Sequence, residues 1–194
     1  MPDAEDVRAG RHDGRHRTVR RVWRTDPRTA YGLVSDVVAA AAHSQEVLDV
    51  VWDRRASLDQ PSVGDRFTAR NSVGAMQWTS TSTVVCAEPG RRFTFAVGAA
   101  DRPTAVWSFD LFAVAVPGAG TATTVEYTVV LGSGPSMFDT VRHLPADHYD
   151  AIVDERLEGF SASMADTLDA LGARAASQGD QVTPCRVERR LDLQ

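Results

Sequence analysis

From Glu46 to Leu131 apolar and polar residues alternate in short runs, each broken by Gly, Pro or Asp. Period-two runs between turn residues predict β-strands with one buried face. A strand is predicted ahead of them over 18–24, around Val19, Val22 and Trp23. Asp26-Pro27 then signals a helix start, because Asp caps free amides and Pro fits the first helical position. The helical stretch 30–42 offers Tyr31, Val34, Val37 and Val38 for burial, and Asp36 divides it into two short pieces. Further strands are predicted over 46–53, 66–71, 76–87, 93–97, 104–115 and 121–131. One face carries the bulk on each: Phe67 with Ala69 and Asn71, then Met76, Trp78, Val84 and Cys86, then Phe93, Phe95 and Val97. Trp107, Phe109 and Leu111 follow, and finally Val125, Tyr127 and Val129. The turns between them are short, which makes the strands antiparallel.

Gly132-Ser133-Gly134-Pro135 ends the sheet, and the segment up to Tyr149 mixes turn residues with Met137, Phe138, Val141 and Leu144. That mixture predicts a loop or short helix. Val153, Leu157, Phe160, Met164, Leu168 and Leu171 then recur at helical spacing, predicting an amphipathic helix over 150–171 with Gly172 as its C-cap. A strand meander closed by one helix predicts an α+β architecture. A curved antiparallel sheet of six or seven strands wraps around the long C-terminal helix, two short helices follow the first strand, and a hollow lies between sheet and helix. The segment before the last helix is expected over the mouth of that hollow.

A chain of 194 residues supports one domain, read as 17–174. Residues 1–16 are polar, charged and aperiodic and read as a disordered lead-in, with His12 and His16 solvated; 175–194 read as a flexible tail. The net charge of −5 gives no electrostatic case for nucleic acid. Neither a secretory signal nor a membrane-spanning run is found, so the expectation is a cytoplasmic protein without membrane insertion. All 21 basic residues are arginine, which excludes catalysis through a lysine Schiff base. Cys86 in a strand and Cys185 in the tail read as free thiols.

The landmarks Glu46 to Trp52, Val63-Gly64-Asp65-Arg66-Phe67 leading to Asn71, Trp78, Glu88-Pro89-Gly90-Arg91-Arg92-Phe93, Trp107-Ser108-Phe109 and Gly120-Thr121 resemble those of a known superfamily. It is the START-like (SRPBCC, Bet v 1-like) superfamily of polyketide cyclases, dehydrases and lipid-transfer proteins, also called helix-grip. The resemblance covers about 17–173. It implies a cavity, open at one end, for a hydrophobic or aromatic small molecule. Members of such a family cyclise or dehydrate poly-keto chains, bind hormones, carry lipids or do nothing catalytic, and they share no catalytic motif to carry over. Where relatives often show a tryptophan just before the second strand, this chain has His43-Ser44-Gln45.

Trp78, Trp107 and Tyr127 are expected to point toward the helix, where their rings offer stacking faces for a ligand; the alternative is ordinary core filling. Phe109, Phe160 and Met164 complete the expected ligand-binding set. Asn71 is a polar group aimed inward, to be satisfied by a ligand carbonyl or by the backbone. His143, His148 and Tyr149 cluster before the last helix and are the candidate catalytic groups, since a histidine near its ordinary pKa exchanges protons at neutral pH. Asp147, Asp150 and Asp154 are placed to orient them, or merely to charge the helix start. A metal at His143 and His148 lacks a third ligand, and no metal or organic cofactor is expected. Three readings stay open: a cofactor-independent cyclase or dehydrase, a carrier or sensor of a hydrophobic metabolite, and a surface-interaction domain with a filled core. An exposed strand edge would serve a homodimer.

Overall fold

A computed structural model describes residues 11–116 and 120–179. The strands are β1 (His16–Trp23), β2 (Val47–Arg54), β3 (Arg66–Val73), β4 (Met76–Glu88), β5 (Arg92–Ala99), β6 (Arg102–Val116) and β7 (Gly120–Leu131). They form a single antiparallel sheet in the order β1-β7-β6-β5-β4-β3-β2. Between β1 and β2 lie α1 (Pro27–Ser35) and α2 (Val37–Ala41). Asp26 caps α1 by accepting from the amides of Arg28 and Thr29, and Asp36 ends α1 and caps α2 by accepting from that of Ala39. A 3-10 turn over Met137–Val141 precedes α3 (Ala146–Gly179).

The register puts both members of alternate cross-strand pairs on the concave face. Asn71 faces Trp78, Phe95 faces Trp107, and Phe109 faces Tyr127 across neighbouring strands. Helix α3 runs along this face, and two apolar clusters anchor it. Leu168, Leu171 and Ala175 pack with Trp23, Tyr31, Val34 and Phe93. Val153, Leu157 and Met164 pack with Val129, Leu131, Phe138 and Tyr149. Each fully buried Leu on this stripe stabilises the docking by roughly 1.5–3 kcal/mol. Along the β1 edge, Arg15 bonds Asp150 and Asp154, Arg17 bonds Asp154 and Glu158, and Arg21 bonds Asp169 further along, so three arginines of one segment tie it to the helix.

Three expectations are corrected. Cys86 does not share the inner face with Val84: a register shift between them gives Ala87 the place opposite Phe93, and Cys86 pairs with Thr94. One extra residue in a bulged strand reverses its facing. Gly172 is not a cap. Helix α3 continues to Gly179, past the expected end of the domain, and Gly172 lies where a side chain would meet the Trp23 indole at 2.7 Å. Its role is close packing of helix on sheet. The lead-in expected over 1–16 is ordered from residue 11, and His12 is 2% exposed. His16 is exposed as expected. Residues 1–10 and 180–194, with Cys185, lie outside the described residues, as does the Pro117-Gly118-Ala119 turn.

Candidate functional site

Between the two apolar clusters the concave face and α3 enclose a cavity of about 810 Å³. All seven residues expected to bind ligand line it: Asn71, Trp78, Trp107, Phe109, Tyr127, Phe160 and Met164. Strand register explains five of them, since alternate residues of β3, β4, β6 and β7 face one way, and Phe160 and Met164 come from the apolar stripe of α3. Met76 at the β3–β4 hairpin and Met137 in the 3-10 turn line the cavity while 48% and 45% exposed, which marks its mouth.

The walls are unlike. On the β6–β7 side, Phe109 stacks on Tyr127 with ring centroids 3.9 Å apart, and Trp107 lies 5.4 Å from Tyr127 and 5.1 Å from Phe160. Burial raises the pKa of the Tyr127 phenol above its ordinary value of 10, and like any phenol at neutral pH it is protonated and can donate a hydrogen bond. On the β3–β4 side, the Asn71 amide donates to the Ala69 carbonyl and, at 3.0 Å, to the Ser80 hydroxyl. Backbone and Ser80 thus satisfy its N–H groups, leaving the amide oxygen as its acceptor. Ser44, from the His43-Ser44-Gln45 segment ahead of β2, lies 3.2 Å from Ser163 of α3, and both line the cavity.

The pattern-based reading missed the two charged residues on these walls. Arg156 on α3 makes a two-armed ion pair with Glu46 at 2.5 and 2.6 Å, and its guanidinium lies 4.1 Å from the Phe160 ring centroid. A signal was present: Arg156 falls three residues after Val153 and four before Phe160, inside the apolar stripe of the helix. A charge in that stripe faces inward.

The expected catalytic histidines lie elsewhere. His143 and His148 are exposed and do not line the cavity. Tyr149, the next residue after His148, turns into the core, and the helical step of roughly 100° leaves His148 in solvent. Of the acids expected to orient them, Asp150 and Asp154 bind Arg15, and Asp147 lies 3.9 Å from His148 with both exposed. Among the described residues, no three His, Cys, Asp or Glu side chains gather as a metal site.

Tyr149 meets His12 instead. Its hydroxyl lies 2.5 Å from His12 Nδ1, and His12 packs 4.8 Å from Phe138, whose ring lines the cavity. The N-terminal turn thereby backs the cavity wall. His12 is shielded from solvent but shallow, and its Nε2 has no partner among the described residues. Burial pushes its pKa below the ordinary 6.5, against smaller opposing effects of Asp139, Asp13 and the Gly132 backbone. Protonation therefore favours the unfolded or undocked segment. The docking is at full strength above pH 6.5 and weakens as pH falls through the lowered value. Amide exchange of residues 12–15 followed from pH 7.5 to 5 should show protection falling with acid, and His12→Phe should flatten the profile.

No family model and no curated protein sequence matches the chain. Solved structures do. A Polyketide_cyc-like protein from Corynebacterium glutamicum superposes with a TM-score of 0.54 at 20% identity, over 88% of this chain and 96% of that one. The Zhui aromatase/cyclase from Streptomyces sp. R1128 gives 0.58 at 14% identity, over 85% and 95%. The di-domain aromatase/cyclase StfQ of the steffimycin biosynthetic pathway gives 0.60 at 13%, over 85% of this chain and 51% of that one. The fold is START-like. At these identities the likeness establishes the helix-grip fold alone. The curved sheet and long helix of that fold account for the cavity. Among the described residues no helix is long and apolar enough to cross a membrane.

Proposed function

We propose that this START-like chain binds a flat, hydrophobic or aromatic small molecule in its cavity. The observation that carries the reading is the cavity itself, about 810 Å³ with an aromatic wall on one side and amide and hydroxyl groups on the other. Pockets for small organic ligands commonly span about 300–1,000 Å³ with mainly apolar linings and a few polar groups. A domain with a filled core would leave no such space.

A second reading, a cofactor-independent cyclase or dehydrase, is favoured by Tyr127. A protonated phenol on the cavity wall is suited to donate to a ligand carbonyl and to stabilise the charge that grows there. The aromatase/cyclase names of two structural neighbours point the same way. In this reading the walls fold and orient the chain of the substrate, and orientation supplies much of the rate. His143 and His148 play no part.

Native mass spectrometry after incubation with a metabolite extract of the source organism tests both readings. A retained hydrophobic species establishes binding. Its conversion over time to a product lighter by one water establishes the enzyme, whereas a species held unchanged favours a carrier. Absence of any adduct overturns the proposal.

A further inference from the structure

Among the described residues, Glu46 and Arg156 are the charged ones on the cavity wall, and their charges cancel. Their side chains are only 20% and 14% exposed. The pair is also fixed in place. Glu46 leads into β2, its carbonyl accepts from the Ser72 amide at 2.8 Å, and Arg156 is held by α3 and by the Phe160 ring beneath it. One N–H from each of Nη1 and Nη2 is used on the carboxylate. An arginine carries five such donors and each carboxylate oxygen has a second lone pair. Among the described residues no further hydrogen bond is made by either side chain, so at the flank of the pair an N–H of the guanidinium lies beside a carboxylate lone pair.

An anionic ligand is poorly matched to this arrangement. It can reach the guanidinium at full strength only by displacing Glu46, and a half-buried carboxylate stripped of its partner is costly. A neutral ligand leaves the pair intact and uses both free positions, accepting from Arg156 and donating to Glu46. We propose that the Glu46–Arg156 pair selects an uncharged ligand that carries an acceptor and a donor side by side, as in a hydroxy-ketone, an enol or an amide. This inference rests on the cavity binding small molecules and names the chemical class they belong to.

Four naphthyl probes of near-equal size test it by calorimetric titration at neutral pH: 2-naphthamide, 2-acetylnaphthalene, 2-naphthoate and 2-ethylnaphthalene. The amide offers an acceptor and a donor, the ketone an acceptor only, the carboxylate two acceptors and a charge, and the ethyl group none. A purely apolar cavity ranks the ketone above the more strongly hydrated amide. The pair reverses this, and the amide should bind about tenfold tighter than the ketone, because a site built to hydrogen bond both groups penalises the analogue that lacks one. In Glu46→Gln the guanidinium loses its counter-charge. 2-Naphthoate should then bind about tenfold tighter than it does to the unaltered protein.

Equal or tighter binding of the ketone in the unaltered protein overturns the proposal, as does unchanged naphthoate affinity in a Glu46→Gln protein with a native circular dichroism spectrum. If that variant does not fold, the amide-to-ketone ratio is compared between the unaltered protein and Asn71→Ser: a preference that persists supports the pair, and one that disappears with the Asn71 amide oxygen overturns the proposal. Binding of 2-ethylnaphthalene separates the two levels of inference. If it binds while the amide shows no preference, the cavity reading stands and the role of the pair falls. If none of the four probes binds, both fall.

Discussion

Gly132→Ala is expected to lower stability by about 3 kcal/mol, near the upper end of the usual cost of forcing atoms into a packed site. A Cβ at this position would lie 2.2 Å from the Pro103 carbonyl oxygen and 3.1 Å from its carbon. These are backbone atoms of β6 and have no rotamer through which to withdraw. The chain here is also tied down. The Gly132 amide donates to the Thr104 carbonyl and the Gly134 amide to that of Pro103, each at 2.9 Å, and the Thr104 hydroxyl donates to the Pro135 carbonyl at 2.9 Å. Relief of the clash has to break this clamp, which sets where Pro135, Met137 and Phe138 meet the cavity. The check is the urea midpoint of the variant with its slope held equal. A loss under 0.5 kcal/mol, the range of ordinary surface changes, would show that the crossing is loose.

Trp107→Ala is expected to weaken binding of a naphthyl ligand roughly 10- to 100-fold through lost apolar contact and lost ring pairing. Trp107 is the centre of the aromatic wall, within 5.4 Å of both Tyr127 and Phe160 by ring centroid. Its removal opens the side of the cavity that a flat molecule would stack on. Trp107→Phe keeps a ring there and should recover most of the affinity, which separates stacking from a general loss of order. Thermal unfolding run beside the titration shows whether each variant keeps its fold. Unchanged affinity in a folded Trp107→Ala protein would place the ligand away from this wall.

The two expectations depend on different kinds of information. Trp107 was legible as an inward aromatic because strand parity needs only a count of residues from Ala105 to Leu111. Gly132 was legible as a turn residue, yet nothing in its neighbours states that β6 passes within 2.2 Å of its missing side chain. That contact joins residues about thirty positions apart. His143 and His148 show the reverse failure. Their chemistry was apparent from residue type, but whether a side chain faces a cavity depends on where a helix begins and which turn it presents. Tyr149 took the inward position, and the histidines were left in water.

What the sequence by itself determined was the succession and type of the elements and the faces of most strands. Alternation and helical spacing are local properties, and they persist because apolar side chains must leave water whichever partner covers them. They sufficed for the seven cavity residues, all of which lie on regular elements. Tertiary structure decided what depends on two distant segments meeting. The bulge that turned Cys86 away from the inner face, the seat of Trp23 against Gly172, and the contact of His12 with Tyr149 are of that kind. So is the ion pair of Glu46 with Arg156, whose members are 110 residues apart. Charge pairing and close packing act over a few ångströms in space, and separation along a chain carries no measure of that distance until the fold brings its ends together.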